Sequence, residues 1–243
     1  SDLEMLTEGS ATVLRAMGAV FTPEIRVRGR EAAANFDRYF RGKVAESRAH
    51  PRDNLVGKLL AAQARDDRFT DDEIVANLML TLSAGHETTV SLVSSGLLAL
   101  LRNPAQLEKL RTNLSLMPGA LDELLRYEPP GQFIGRIALD HVTLAGQQIR
   151  KGETVYVVIG AINRDPAQFR DPEILDIERA RNPHLTFGHG LHVCIGQYLA
   201  RMEATSIFET LLQRYPALRL AGTPQWTPLI GTRGLSRLPL RHD

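Results

Sequence analysis

The spacing of hydrophobic and polar positions predicts a chain built mainly of α-helices. Amphipathic helical patterns cover residues 3–20 and 31–49, with a break around Pro23 and Gly29, and a shorter pattern covers residues 54–64. Apolar residues recur at intervals of three and four in these segments, so we expect each helix to bury one face.

A long central helix is the clearest predicted element. It begins at residues 70–73, whose sequence Thr-Asp-Asp-Glu has the form of a capping box, and it continues to about Leu101. The next helix has Asn103 as its N-cap and Pro104 in its first turn. A further helix over residues 119–128 is ended by two consecutive prolines.

Strand patterns follow these prolines. Residues 142–144 and 155–159 predict short strands on either side of a turn near Gly146. Residues 163–185 are rich in Pro and Arg and predict irregular structure, whereas residues 197–214 predict a last long helix. The C-terminal tail predicts turns and short strands.

The composition is that of an ordinary globular protein. Apolar residues make up 43% of the chain and the formal net charge is +1, which gives no reason to expect a nucleic-acid partner. We expect one domain over residues 1–243, mainly α with small β-sheets. The charge is uneven, because residues 179–243 carry eight arginines, no lysine and three acids, a net charge of +5. Such a stretch could dock an acidic partner or be a solvated surface.

The chain has a single cysteine, Cys194, which excludes an internal disulfide and favours a reducing compartment. No signal-peptide pattern opens the chain, so we expect a cytoplasmic location. Residue 1 is Ser rather than Met, which favours a processed or partial product.

The central helix carries few ionisable side chains, since only His86 and Glu87 are titratable between residues 74 and 101. A helix of this kind lies in a large core or spans a membrane. Glu87 near the centre of a membrane span would cost roughly 2.5–3.5 kcal/mol. We therefore expect a core helix and no membrane association.

The middle of this helix, residues 84–89, has an unusual sequence. Gly85 costs about 1 kcal/mol relative to Ala in a helix, and Ala84, Gly85 and Thr88 share one face that a flat group could approach. Thr88 beside the Glu87 carboxylate could transfer protons to a bound ligand. A helix crossing at Gly85, with Glu87 paired to a buried base, explains the segment equally well.

Glu123 and Arg126 are three residues apart on a predicted helix that is otherwise apolar. The spacing allows them to form an ion pair on one face. A surface pair of this kind would contribute little to stability, and the spacing alone does not distinguish it from a pair within the fold.

A glycine-rich loop with the sequence Phe-Gly-His-Gly-Leu-His-Val-Cys-Ile-Gly covers residues 187–196. Its glycines permit a tight turn. Cys194 precedes the last long helix, whose free N–H groups favour the thiolate. A thiolate is the ligand that a soft metal or a haem iron requires, and His192 could donate a hydrogen bond to an anionic group of a cofactor.

Three other interpretations of the loop remain open. A lone cysteine is most often a buried structural residue. A zinc site would use His189, His192 and Cys194, although the familiar paired-cysteine spacing is missing. A catalytic cysteine would require a separate His and an Asn or Asp, which the sequence does not place.

Taken together, these segments resemble the cytochrome P450 family. Residues 187–196 match its pattern of a Phe, spaced glycines, a His and an axial Cys, Glu123 and Arg126 match its Glu-x-x-Arg pair, and residues 84–88 match its small-Gly-x-acid-Thr pattern. The resemblance covers most of the chain from about residue 30 and is closest to the bacterial class. It implies the cytochrome P450 fold, N-terminally truncated, because family members are normally longer.

The resemblance implies a haem b cofactor (iron protoporphyrin IX) bound at the glycine-rich loop. Cys194 would be the axial iron ligand, in a loop that begins with Phe187 and Gly188 as further cofactor-binding residues. His192 and Arg136 would contact the haem propionates, because a guanidinium suits a carboxylate.

The resemblance also implies roles for the central helix. Ala84 and Gly85 would leave room over the haem face, and Thr88 and Glu87 would organise proton delivery as the catalytic pair. Substrate would contact this helix, the strand at residues 131–137 and the turn at residues 228–231.

The implied activity is that of a monooxygenase, which inserts one oxygen atom from O2 into a small apolar organic substrate. No flavin or nicotinamide fingerprint is present, so electrons would come from a separate donor such as a ferredoxin, docked on the basic C-terminal stretch. Two alternatives remain. One is a truncated, non-catalytic relative that serves as an accessory or interaction protein, and the other is a peroxide-driven haem enzyme.

Overall fold

The computed structural model describes residues 2–17, 22–66 and 69–242 and confirms the mainly helical class with small sheets. By internal contacts the chain divides into two compact units, Ser1–Glu87 and Thr88–Asp243, and the division falls within the central helix. The α-helices are α1 (Asp2–Met17), α2 (Pro23–Ala49), α3 (Leu55–Asp66), α4 (Asp71–Arg102), α5 (Pro104–Thr112), α6 (Met117–Tyr127), α7 (Ile159–Ile162) and α8 (Gln197–Arg214).

The strands of the second unit form antiparallel pairs. β1 pairs with β4, β2 with β3, β5 with β8 and β6 with β7. Their bounds are β1 (Ile134–Ile137), β2 (Val142–Leu144), β3 (Gln147–Ile149), β4 (Thr154–Val157), β5 (Arg219–Leu220), β6 (Gln225–Trp226), β7 (Leu235–Arg237) and β8 (Leu240–Arg241).

The predicted break around Pro23 and Gly29 is wrong, because both residues belong to α2 in the first unit. Pro23 opens α2, Thr22 is its N-cap, and the Thr22 hydroxyl accepts a hydrogen bond from the Ile25 amide at 3.2 Å. Gly29 lies inside the helix, where an added Cβ would be 2.2 Å from the Cβ of Ala16. The glycine therefore allows α1 and α2 to approach closely, and it does not end a helix. The last residues of the first predicted helix, 18–20, lie outside the described part.

The capping box at the start of α4 is confirmed. The Thr70 amide donates to a Glu73 carboxylate oxygen at 2.8 Å, and the Glu73 amide donates to the Thr70 hydroxyl at 3.2 Å. Two N–H groups that lack helical partners are thus satisfied reciprocally.

Replacing Thr70 with Ala is expected to lower the free energy of unfolding by about 1 kcal/mol, because one capped amide loses its acceptor. Urea unfolding of the variant measures the change. Thr70→Ser is the matched control, since it keeps the hydroxyl. Equal unfolding midpoints for the Ala and Ser variants would contradict a capping role.

The second unit has its own core, in which α6 and α8 pack together. Phe208 and Leu124 lie at its centre, and an added Cβ on Gly96 of α4 would be 3.1 Å from the Phe208 ring and 3.2 Å from Leu124. The predicted last helix is confirmed at Gln197–Arg214. The predicted strand at 155–159 is displaced, because Ile159 begins α7 and is buried.

Asn103 is the N-cap residue of α5, as predicted, but its side chain does not cap the helix. Its Nδ2 donates instead to the carbonyl oxygen of Ala99 at 2.8 Å, which satisfies the C-terminal end of α4. The residue therefore joins two consecutive helices.

The long, apolar helix α4 raised the question of a membrane span. Among the helices of residues 2–17, 22–66 and 69–242, none combines the length and the apolarity that crossing a bilayer requires.

Candidate functional site

Glu123 and Arg126 form a fully buried ion pair on α6, which excludes the surface-pair interpretation. Both side chains have 0% exposure, and the guanidinium meets the carboxylate through two bonds, Nε to Oε2 at 2.8 Å and Nη2 to Oε1 at 2.7 Å. Arg179 adds a bond to the same carboxylate at 3.0 Å, as does Asn182 at 3.0 Å. A pair this well bonded avoids the cost of an isolated buried charge.

The irregular segment after β4 is wrapped around this pair. Arg126 donates to the carbonyl oxygens of Asn163 at 3.0 Å, Pro172 at 2.8 Å and Ile174 at 3.1 Å. Carbonyl groups in a segment without regular secondary structure lack backbone hydrogen-bond donors. The Arg126 guanidinium donates to three of them instead. Glu123 and Arg126 therefore fix the path of the chain toward the glycine-rich loop.

Asn163 connects the ion pair to the start of that loop. Its side-chain oxygen accepts from the Leu185 amide at 2.9 Å, and its side-chain nitrogen donates to the Thr186 hydroxyl at 2.9 Å. Thr186 in turn donates to the carbonyl oxygen of Leu125 on α6 at 2.7 Å. These bonds anchor the residues directly before Phe187 to the core.

The glycine-rich loop presents Cys194 on the surface of the second unit. The Cys194 amide donates to the carbonyl oxygen of Phe187 at 2.8 Å, which closes the loop into a compact turn. Gly188 and Gly190 have φ values of +74° and +75°, a backbone region that side chains with a Cβ rarely adopt. The predicted need for glycine in this loop is thereby explained, and Cys194 itself is exposed.

Large apolar side chains close to Cys194 in the sequence are open to solvent. Leu191 and Ile195, on either side of Cys194, are 102% and 94% exposed. The first turns of α8 continue this surface. We call it the α8 apolar face, and its members are Leu191, Ile195, Tyr198, Leu199 and Met202.

The structure contradicts two of the alternative interpretations of Cys194, a buried structural cysteine and a zinc ligand. The thiol is exposed, so it is not a buried structural cysteine. Within the part of the chain that the structure describes, no three His, Cys, Asp or Glu side chains come together as a metal-binding group, so His189, His192 and Cys194 do not form a zinc site.

The predicted propionate contacts are both at the surface of the second unit. His192 ends a short 3₁₀ helix two residues before Cys194 and is exposed. Arg136 lies on β1 opposite Val155 of β4, is exposed, and donates from Nη1 to the Gly135 carbonyl oxygen at 2.9 Å. Both can offer N–H donors to an anionic group from the protein surface.

The predicted substrate-contacting strand and turn are joined to each other. The Gln132 amide donates to the Gly231 carbonyl oxygen at 2.9 Å, and the Arg233 amide donates to the Pro130 carbonyl oxygen at 2.7 Å. Just before β7, an added Cβ on Gly234 would lie 2.3 Å from the Ser91 hydroxyl oxygen of α4, so the chain at the start of β7 packs closely on that helix.

The unusual segment of α4 is less buried than the sequence predicts. Ala84 and Gly85 are exposed, and a Cβ on Gly85 would meet no atom of the described chain within 4 Å, so the predicted helix crossing at Gly85 is wrong. The Glu87 side chain is 27% exposed, and its Oε1 lies 3.5 Å from Nδ1 of His86. Thr88, which opens the second unit, is half-buried.

A charged cluster that the sequence did not suggest lies beside the loop. Asp122 on α6 accepts hydrogen bonds from Nε2 of His184 at 3.2 Å and from Nη1 of Arg201 on α8. Burial alone raises the pKa of the Asp122 carboxyl, but these two bonds outweigh it and hold the pKa below its usual value. No spacing rule connects residues 122, 184 and 201, so only the fold brings them together.

The site has an exposed thiol near the end of a glycine-rich loop, shortly before α8. The sequence profile described as Cytochrome P450 matches residues 20–243, and the chain belongs to the cytochrome P450 family. It is 41% identical over its whole length to a protein of Bacillus subtilis (strain 168) named Biotin biosynthesis cytochrome P450, of which it spans 61%. It is 42% identical over 217 residues to Cytochrome P450 107B1 of Saccharopolyspora erythraea and spans 53% of that protein.

Solved structures agree with this assignment. All of this chain superposes on 62% of P450BioI, crystallised in complex with hexadec-9Z-enoic acid ligated acyl carrier protein, with a TM-score of 0.95 and 40% identity. It also superposes on 64% of CYP109E1 from Bacillus megaterium, in complex with testosterone, with a TM-score of 0.94 and 32% identity. The cytochrome P450 fold predicted from the sequence is therefore confirmed.

The residues of the second unit fit a haem. The thiol is accessible, and the apolar side chains around it suit contact with a flat apolar ring. The exposed His192 and Arg136 offer N–H donors for the carboxylates that such a cofactor carries.

Proposed function

We propose that this chain is the haem-binding region of a monooxygenase that inserts one oxygen atom from O2 into an apolar organic substrate. The presentation of Cys194 is the observation that supports this most directly. Its amide is fixed to Phe187 at 2.8 Å while its thiol remains exposed among apolar side chains. A structural cysteine has no need of such a setting, whereas an axial ligand does.

In this proposal, haem b would be held mainly by residues of the second unit. The Cys194 thiolate would bind its iron, Phe187 and Gly188 would shape the loop that presents the thiol, and His192 and Arg136 would bind the propionates. When bound, the cofactor supplies the chemistry that activates dioxygen. Ala84 and Gly85 are small and exposed on α4, so in this proposal they would leave room for a flat group to approach that helix.

The overall reaction balances with an external electron donor. One oxygen atom of O2 enters the substrate and the other leaves as water, with consumption of two electrons and two protons. In this proposal, a ferredoxin or a similar protein supplies the electrons. The net charge of +5 on residues 179–243 favours an acidic donor.

The substrate class is small and apolar. The similar P450BioI structure contains an acyl carrier protein with a C16 unsaturated acyl group, which makes a carrier-bound acyl chain one substrate to assay here. CYP109E1 was crystallised with testosterone, so free apolar substrates belong in the same assay. Neither the non-catalytic alternative nor the peroxide-driven alternative is supported by a specific contact.

Haem loading tests the proposal. The purified chain is incubated with haemin, reduced and exposed to carbon monoxide, and the difference spectrum is recorded. The expected result is the spectrum of a thiolate-ligated haem. Failure to take up haem would overturn the proposal and support an accessory role, and turnover with hydrogen peroxide alone would support the peroxide-driven alternative.

Thr88→Ala is expected to leave the haem spectrum intact and to divert reducing equivalents into hydrogen peroxide. The Thr88 hydroxyl, one residue after Glu87 in the sequence, delivers protons in this proposal, and a lost proton-transfer group typically costs about 10²–10⁴-fold in rate. Peroxide formed per electron donor consumed measures the effect. Thr89→Ala is the control, because Thr89 lies on another face of α4. Equal coupling in both variants would contradict the role of Thr88.

A further inference from the structure

We propose that Asp122 positions the Cys194 loop by clamping its two ends together, an inference that rests on the proposed function of Cys194 as the haem ligand. The Asp122 clamp consists of Asp122, His184 and Arg201. His184 lies just before the loop and Arg201 lies on the helix just after it, so a single carboxylate holds both sides of the turn.

The clamp is well bonded, and its histidine is shielded from water, whereas Asp122 and Arg201 are about one-third exposed. Nε2 of His184 lies 3.2 Å from Oδ1 of Asp122, and the histidine side chain is only 5% exposed. Nδ1 of His184 accepts a hydrogen bond from the Thr186 amide at 3.3 Å, which leaves Nε2 as the donor to Asp122. Arg201 contacts the same Oδ1 through Nη1. Charged hydrogen bonds of this kind are stronger than neutral ones.

The clamp reaches Cys194 through Phe187. The Arg201 guanidinium lies 5.1 Å from the centre of the Phe187 ring, a cation–π contact, and the His184 ring centre lies 6.1 Å from it. The aromatic ring thus lies close to both arms of the clamp, Arg201 and His184. The carbonyl oxygen of Phe187 accepts the Cys194 amide at 2.8 Å, so the position of Phe187 sets the position of the cysteine backbone.

The clamp is separate from the buried ion pair, although Asp122 and Glu123 are neighbours in sequence. Glu123 bonds to Arg126, Arg179 and Asn182, and none of these is a member of the clamp. Asp122 is about one-third exposed, whereas Glu123 is completely buried. Two adjacent carboxylates on α6 therefore have different tasks, since one stabilises the core and the other orients the loop.

Hydrogen exchange of the haem-free chain tests the clamp. Asp122→Asn keeps the size of the side chain and removes its charge, which weakens both arms. We expect the amides of residues 187–196 to exchange about tenfold faster or more, because bonds to a charged group are lost and the loop opens locally. Glu178→Gln is the matched control, since it removes the charge of an exposed carboxylate whose partner Lys109 lies at 2.6 Å.

The pattern of exchange separates positioning from general stability. Local acceleration at residues 187–196, with α6 core amides unchanged and with recovery in Asp122→Glu, supports the clamp. Two results would overturn the clamp. One is that residues 187–196 exchange at the same rate in Asp122→Asn and Glu178→Gln, and the other is that exchange in Asp122→Asn rises equally throughout the chain. Arg201→Gln removes one arm only and is expected to give an intermediate effect, which keeps the test decisive if Asp122→Asn fails to fold.

A second readout distinguishes failure of the clamp from failure of the proposed function. In the haem-loaded chain, Asp122→Asn is expected to lose a large part of the thiolate-type carbon monoxide spectrum while retaining bound haem. If the parent chain binds no haem, the proposed function fails, yet exchange in the haem-free chain still decides whether Asp122 holds the loop.

Discussion

Replacing Cys194 with Ser is expected to abolish the thiolate-type spectrum of the haem-loaded, reduced, carbon monoxide-treated chain. Ser has nearly the same size, but its hydroxyl does not supply the soft anionic sulfur that haem iron takes in this family. The sequence contains no second cysteine to take its place. Difference spectra of the parent and the variant, recorded at equal haem content, measure the effect.

Cys194→Ser also tests whether the thiolate-type spectrum is lost through the missing sulfur and not through unfolding of the chain. The Cys194 amide donates to Phe187 through the backbone, so Ser at this position retains the loop hydrogen bond and the fold. The unfolding midpoint of the haem-free variant should therefore match that of the parent. If Cys194→Ser keeps the thiolate-type spectrum, Cys194 is not the haem ligand.

Glu123→Ala is expected to leave little folded protein. Removing one member of a buried ion pair costs about 3–5 kcal/mol, because the partner charge is left without compensation. Here two guanidinium groups, those of Arg126 and Arg179, lose their carboxylate. Since a domain is stable by only about 5–15 kcal/mol, this loss removes a large part of the margin. Soluble yield and the urea unfolding midpoint measure it.

Glu178→Ala provides the comparison. Its pair with Lys109 is a single close contact at 2.6 Å, but the Lys109 and Glu178 side chains are 51% and 48% exposed, and such pairs contribute roughly 0–1 kcal/mol. We expect a near-normal yield and a small change in midpoint. If the two alanine variants unfolded at the same urea concentration, burial of the Glu123 pair would have no energetic consequence.

Local signals in the sequence predicted helix ends well where side chain and backbone interact directly. The capping box at residues 70–73 is the clearest example. The bounds of α8 also agree with the structure, although no side chain caps its start. The same reasoning failed at Gly29, because a glycine marks either a helix end or a close approach of two helices. Only the position of Ala16 on another helix decides between these.

The candidate site was predictable in part for a similar reason. The loop at residues 187–196 carries its own signature, since Gly188 and Gly190 adopt positive φ and its Cys and His lie close in sequence. The supporting contacts of Asn163 and Asp122 join residues far apart in the chain, and no spacing rule finds them. The exposure of Ala84 and Gly85 was also missed, because an apolar helix gives no sign of which side lacks a neighbour.

The α8 apolar face has a practical consequence for handling this protein. Open side chains such as Leu191 and Ile195 attract one another in water, and they bind dyes that fluoresce in apolar surroundings. Sulfate strengthens this attraction, so precipitation at moderate ammonium sulfate and concentration-dependent self-association are expected during purification. A cofactor that covers the face should reduce dye fluorescence and raise the salt concentration at which the protein precipitates.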